Sequence, residues 1–273
     1  MTHEITAPVR YDVVEQVAIV RIDRPEARNA INAAVSSAVG DALERADADP
    51  DVRAIVVTGV DDVFSAGADL KALAQGLSLD SPEHPEWGFA GIARHWIHKP
   101  LIAAVNGPAL GGGAEIALAC DLIVASDSAV FGLPEVRWGL FAAAGGVLRL
   151  PQHIGVRRTL ELALTGDPID AATALEWGIV NRVVPADRVL DEAVLLAGRI
   201  ARNAPLSVRE SKRVIHATLS DGSVWGQDWR TSTVWDESQR AMDLTFASDD
   251  GHEGMRAFAE RRTPVWGQTT LTP

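Results

Sequence analysis

The run Leu101-Ile102-Ala103-Ala104-Val105, continued by Asn106-Gly107-Pro108-Ala109-Leu110-Gly111-Gly112-Gly113-Ala114-Glu115-Ile116-Ala117-Leu118-Ala119, decides how this chain folds. Its first five residues are continuously apolar, as in a strand buried on both faces, and the Gly-rich turn behind them opens a helical pattern. The unit recurs: Val52 to Thr58 and Leu122 to Ala125 are further strands, and Gly67-Ala68-Asp69-Leu70 is another turn leading into a helix. Upstream, Tyr11 to Val14 and Val17 to Ile22 flank the polar pair Glu15-Gln16 and predict a hairpin. Ile31, Val35, Val39, Ala42, Leu43 and Ala46 then share one helical face, which Pro50 closes. Repeated strand, turn and helix units predict an α/β fold with a largely parallel sheet. From about Asp187 the pattern is helical only, over Arg188 to Arg202, Leu206 to Leu219, Val224 to Phe246 and Gly251 to Arg261. Pattern alone leaves this tail equally suited to assembly and to a second layer on the same core. The stretch 74–85, rich in Gly, Ser, Pro and Asp, reads as a mobile loop.

Composition narrows the classes of function. With 47% hydrophobic and 23% charged residues over 273 positions, the chain is neither disordered nor collagenous, and it is long enough to bury a full core. Its one cysteine, Cys120, has no partner within the chain and sits in an apolar run, so it reads as a packing thiol. A net charge of 25 − 37 = −12 opposes binding to nucleic acid or membranes, so an anionic ligand needs a local group of Arg and Lys. No apolar run reaches about 18 residues, and Met1 to Thr6 lacks the features of a signal peptide, so a cytoplasmic location is expected.

Several chemical signatures are missing. The Gly-rich turns carry no following Lys-Ser or Lys-Thr, neither fits a dinucleotide fingerprint, and Val63 stands where a nucleophile elbow at Ser65 needs Gly. His95 and His98 are spaced to share a metal but lack the Glu of a zinc helix, and no metal is expected. What stands out is Glu115, inside a small, apolar helix opening, and Glu135, twenty positions later in Phe131-Gly132-Leu133-Pro134-Glu135. Carboxylates in low-polarity settings are pushed toward neutral pKa values and suit general acid/base work. Glu115 would equally serve the dipole of its own helix. Gly-rich helix starts present backbone N–H groups that suit an oxyanion, although glycine also marks tight turns and close packing.

Together these residues resemble the crotonase, or enoyl-CoA hydratase/isomerase, superfamily. The resemblance runs in order through Arg24-Pro25-Glu26-Ala27-Arg28-Asn29-Ala30-Ile31-Asn32, Phe64-Ser65-Ala66-Gly67-Ala68-Asp69-Leu70, Asn106 to Glu115 and Phe131 to Glu135. It continues through Leu164-Thr165-Gly166-Asp167, Trp177-Gly178-Ile179-Val180-Asn181 and Glu253-Gly254-Met255-Arg256-Ala257-Phe258. It implies a spiral of ββα units with an acyl-CoA site over residues 1–200 and an all-helical oligomerisation region over 201–273, assembling as a homotrimer or a dimer of trimers. It also implies reversible hydration of a 2-trans-enoyl-CoA to a 3-hydroxyacyl-CoA by a hydro-lyase of fatty-acid β-oxidation type, with no cofactor beyond the CoA of the substrate. The Ala68 and Gly112 N–H groups would hold the thioester oxygen, Glu115 would act as water-side base and Glu135 as α-proton acid. Alternatives are a Δ3,Δ2-enoyl-CoA isomerase, working from the position of Glu135, and a weakly catalytic acyl-CoA-binding homologue.

For the substrate, the resemblance carries over Arg28 at the nucleotide end, Lys71 after the oxyanion turn, and Arg261 toward a neighbouring subunit's nucleotide. Ala66 and Asp69 would flank adenine through main-chain contacts, and Leu70, Gly111 and Pro134 join them as substrate-binding positions. Acyl specificity would lie between Leu73 and Trp96, including Trp87 and Phe89. One departure stands out: the run Leu140-Phe141-Ala142-Ala143-Ala144 replaces a Pro-Gly turn, so Phe141 is expected to reshape the acyl pocket.

Overall fold

The computed structural model describes residues 8–221 and 233–267. It opens with the antiparallel hairpin of β1 (Val9–Val14) and β2 (Val17–Ile22). Helix α1 (Ala33–Ala48) follows, with the Asn32 side chain accepting from the Val35 N–H at 3.1 Å to cap it. Its buried residues Val35, Val39, Leu43 and Ala46 recur at helical spacing, as the sequence predicts. The chain then runs through β3 (Ala54–Gly59), α2 (Leu70–Ala74), β4 (Leu101–Val105), β5 (Ala109–Leu110), α3 (Gly112–Ala119), β6 (Leu122–Ser126), β7 (Val130–Gly132) and α4 (Gly146–Thr165). Next come β8 (Ile169–Asp170), α5 (Ala171–Trp177), β9 (Arg182–Val184), α6 (Val189–Ala201), α7 (Pro205–Asp221), α8 (Thr233–Phe246) and α9 (Asp249–Glu260).

A six-stranded sheet has the order β1-β2-β3-β4-β6-β9, parallel throughout except at the opening hairpin. Both of its faces are covered, which explains the continuous apolar runs. Val20, Ile55, Val57, Ala103 and Val105 belong to the main core with α1 and α3. Val17, Val56, Ile102 and Val124 point the other way, onto Val189, Ala193 and Ala197 of α6. The second strand of each later unit leaves this sheet for a smaller one, β5-β7-β8, giving the spiral of ββα turns.

The smaller sheet continues as isolated bridges, with Ser65 pairing with Ala109 and Ile31 with Ala68 in parallel. Short segments near residues 31, 66, 110 and 131 therefore lie side by side at one end of the molecule. This is where the Gly-rich turns arrive.

One expectation changes. The stretch 74–85 is fastened rather than free: Ser36 Oγ on α1 donates to the Leu79 carbonyl at 2.6 Å, Ser37 Oγ lies 2.9 Å from Ser81 Oγ, and Leu79 and Ser81 are buried. Polar composition hid these anchors. In the tail, α6 packs on the chain's own sheet, and Lys212 of α7 pairs with Asp121 at 2.7 Å and donates to the Lys99 carbonyl at 3.0 Å. The expected helix Val224–Phe246 is described only as α8, since its part before residue 233 lies outside the described residues.

Asn29 locks the site-bearing loops together. Fully buried, at φ +55°, it donates from Nδ2 to the Val60 and Val63 carbonyls at 3.0 and 2.7 Å, and accepts from the Arg24 N–H at 3.0 Å. Replacing Asn29 by Ala leaves buried groups unpaired in a left-handed backbone, and should destabilise the fold by about 2–4 kcal/mol. Denaturant unfolding measures this, and a loss under about 0.5 kcal/mol, the range of an ordinary surface change, would contradict it.

Candidate active site

The parallel pairing of Ser65 with Ala109 brings the two Gly-rich turns into contact three residues further on. The Leu110 N–H donates to the Ser65 carbonyl at 3.2 Å, and a β-carbon on Gly67 would fall 2.7 Å from the Gly112 nitrogen. Gly67 stands at φ +87°, so both its backbone and its surroundings require glycine. Neighbouring amides are taken: Gly67 by Ser65 Oγ, Asp69 by the Ile31 carbonyl, Leu110 by Ser65 and Gly111 by the Gly132 carbonyl. Among the described residues, the Ala68 and Gly112 N–H groups meet no acceptor. Gly112 opens α3, where the first-turn amides have no partner within the helix.

Both amides border a cavity of about 430 Å³, whose lining includes Ala68, Gly112, Glu115, Glu135 and Phe141. The Phe89 ring closes over Gly112, with a β-carbon there falling 2.5 Å from Cε1. Donors and acids thus share one small, partly apolar chamber.

The two carboxylates differ in their surroundings. Glu115, on the first turn of α3, is 3% exposed, and its Oε1 accepts from the Gly146 N–H at 2.8 Å. Burial raises its pKa, against which the Gly146 and Ala144 amides and the charge of Arg149 act. Glu135 sits on the 3₁₀ segment Pro134–Trp138 and reaches back toward Gly111, where a β-carbon would meet its Oε1 at 3.0 Å. Its Oε2 is buried without a hydrogen-bond partner. Burial first, and the charge of Glu115 second, push Glu135 up to about 7, while its own backbone amide pulls the other way. One acid is braced by donors and the other is left near neutrality, an arrangement suited to moving protons in both directions.

Leu73 and Phe89 of the expected specificity stretch line this cavity too, whereas Arg28, Ala66, Asp69, Leu70, Lys71, Trp87, Gly111, Pro134 and Arg261 do not. Trp87 instead stacks between His84 and His95, with ring centroids 3.9 and 4.4 Å away, against α1 where only Gly40 leaves room. A wide ring finds its flat partners there, and Phe89 takes the cavity. Asp69 is structural in its side chain, which caps α2 and pairs with Arg24 at 2.8 Å. Its N–H and that of Ala66 are spent on the Ile31 and Arg28 carbonyls, so neither amide is free for a ligand. Gly111 is the close approach behind Glu135, and Pro134 sets the turn that carries it. Arg28, Leu70, Lys71 and Arg261 are exposed, Arg28 beside a separate cleft of about 120 Å³. His95 and His98 turn to Glu44 and Asp47, at 2.7 and 2.8 Å.

Ser78, Asp80 and Arg94 line the cavity and fall within the Leu73 to Trp96 stretch expected to set acyl specificity, whereas sequence reasoning missed Arg149, which lies close to Glu115. The departure at Leu140 to Ala144 points to the turn before α4, and Leu140, Phe141, Ala143 and Ala144 do line the cavity.

Comparison with known proteins follows the same lines. A family model described as enoyl-CoA hydratase/isomerase matches residues 12–269. A probable enoyl-CoA hydratase of Mycobacterium leprae is 38% identical over 268 residues, covering 94% of this chain and 98% of the relative. The crystal structure of enoyl-CoA hydratase from Mycobacterium tuberculosis superposes with a TM-score of 0.88 at 42% identity, covering 97% of this chain and 100% of that one. That of carnitinyl-CoA hydratase from Mycobacterium avium gives 0.75 at 50% identity, with the same coverage of each chain.

The geometry makes a direct prediction. A ¹³C-NMR titration of the Glu135 carboxyl should show a midpoint near 7, and Glu115→Gln should lower it by removing the neighbouring negative charge. A midpoint that stays put in the variant would refute the coupling.

Proposed function

The chain belongs to the enoyl-CoA hydratase/isomerase family, and on that premise we propose that it adds water reversibly across the double bond of a 2-trans-enoyl-CoA, giving a 3-hydroxyacyl-CoA. The observation that carries this reading is the pair of unspent amides, Ala68 and Gly112, bordering a cavity that also holds two inequivalent carboxylates, Glu115 buried and Glu135 half-buried. A thioester α-proton is far too weakly acidic for a carboxylate alone. Two fixed donors in a water-poor chamber stabilise the oxyanion where charge appears, and one such donor is typically worth ~3 kcal/mol or more.

Each group then has one task. The thioester oxygen accepts from the Ala68 and Gly112 N–H groups. Ionised Glu115 takes a proton from water as the water oxygen bonds to Cβ, and the double-bond electrons move to the thioester oxygen as an enolate. Protonated Glu135 delivers its proton to Cα as the carbonyl re-forms. Dehydration retraces these steps with the proton states exchanged.

No cofactor enters beyond the CoA of the substrate. Ser78, Asp80 and Arg94 in the cavity wall support an acyl chain that is short or bears a polar group, a carnitinyl-CoA included. The reading also includes assembly as a trimer or dimer of trimers, for which the exposed Val156, Leu160 and Leu164, spaced four apart after the break at Gly155, offer an apolar face.

Purified protein should convert a short 2-enoyl-CoA to its 3-hydroxyacyl-CoA, and Glu115→Gln and Glu135→Gln should each lower kcat by roughly 10²–10⁴-fold. For hydration, kcat/KM should rise with pH as Glu115 ionises and fall as pH passes about 7, where Glu135 gives up its proton. Conversion of a 3-enoyl-CoA with no hydration of the 2-enoyl-CoA would replace this reading with the isomerase, and CoA binding without turnover would replace it with a binding protein.

A further inference from the structure

Behind Glu115 lies a charged side chain that the proton-transfer scheme does not use. Arg149, in the first turn of α4, folds its guanidinium back beneath its own helix start. Nη1 donates to the Ala144 carbonyl at 3.1 Å and Nη2 to the Ala93 carbonyl at 2.6 Å. These two carbonyls belong to different walls of the cavity, the segment after Phe89 and the turn before α4, and Ala93, Ala143 and Ala144 all line it. Gly145 makes room for this: a β-carbon there would fall 2.0 Å from Nη1, and its φ is +107°. One residue further, the Gly146 N–H supports Glu115 Oε1, and a β-carbon on Gly146 would press on Glu115 Cγ at 3.0 Å. Guanidinium, turn and carboxylate therefore form one stack, in which displacing the first displaces the last.

We propose that Arg149 is a positioning residue for hydration: by gripping the Ala93 and Ala144 carbonyls at once, it holds the turn that carries the Gly146 amide, and so fixes where the Glu115 carboxylate meets water. This rests on the hydratase reading given above. The planar fork of arginine suits the task, since two carbonyls on separate segments need two divergent donors from one rigid group. Charge adds a second effect, because a cation beside a buried carboxylate favours its ionised form. The titratable and charged groups around the pair are Glu135 and Asp80 in the cavity lining, Cys120 and Asp121 at the end of α3, His95 on the wall behind Ala93, and His153 one turn along α4. Arg94 borders the same wall, and Lys212 and His216 approach from α7. Of these, burial pushes the Cys120 thiol up to about 12, so it stays neutral, and Asp121 is occupied by Lys212 and His216. Arg149 is thus the cation whose charge bears on Glu115 among the described residues.

The test compares wild type with Arg149→Gln, which loses the charge and one arm of the grip, and Arg149→Lys, which keeps the charge but lacks the fork. Steady-state hydration is followed across pH in the full-length protein, with folding checked by circular dichroism. In Arg149→Gln, kcat should fall by about 10²-fold, the loss typical of a reacting group set about 1 Å out of place. The ascending limb of kcat/KM should move to higher pH, because Glu115 without its cation holds its proton longer. In Arg149→Lys the limb should stay near the wild-type position and kcat should lie between the other two. A folded Arg149→Gln protein with wild-type kcat and an unmoved limb overturns the inference, as does a loss of kcat that only follows the folded fraction while the limb stays in place. If Arg149→Gln does not fold, Arg149→Lys decides: reduced kcat with the limb held supports the role, and wild-type kcat overturns it. Wild-type protein that hydrates no 2-enoyl-CoA would overturn the functional reading itself, and this inference with it.

Discussion

A β-carbon at Gly67 would lie 2.7 Å from the Gly112 nitrogen and the same distance from the Leu110 carbonyl, and that close approach of two backbones governs the rest of the site. It follows from the parallel pairing of Ser65 with Ala109, which sets two strand-to-helix turns in register. Register decides which amides are consumed by the pairing and which are left over. Asp69 and Gly111 lose theirs to neighbouring segments, while Ala68 and Gly112 keep theirs for the cavity. Because these amides are main-chain groups on crossing segments, they are held in place by the fold itself.

Around this pair the protein places two acids in unequal settings. Glu115 is supported by an amide and shadowed by a guanidinium, so the cost of its burial is partly offset. Glu135 has a buried oxygen with no partner and faces the charge of Glu115, so it stays near neutrality. Like charges in one small chamber keep the two proton affinities apart.

The cavity walls combine apolar and charged side chains in a chain of net charge −12. Hydrophobic side chains from distant stretches, among them Leu79, Phe89 and the exposed Phe141, line the chamber, with Asp80 and Arg94 set into the same lining. The loop that supplies Leu79 and Phe89 is held against α1 by serine hydrogen bonds and by the stacked His84, Trp87 and His95 rings. Trp87 therefore shapes the wall from behind without touching its contents.

The sequence by itself determined the strand and helix order, because doubly buried strands read as apolar runs and amphipathic α1 as a 3.6-residue period. The same local patterning marked the Gly-rich turns and both glutamates. Tertiary structure alone decided which of two neighbouring amides stays unspent, whether Trp87 or Phe89 enters the cavity, that Asp69 turns to Arg24, and that Arg149 reaches Ala93 across 56 positions. Periodicity is a property of one segment and its burial, and so is written locally. Hydrogen-bond partners and close approaches belong to pairs of segments, and no residue carries a mark of the distant backbone it will meet.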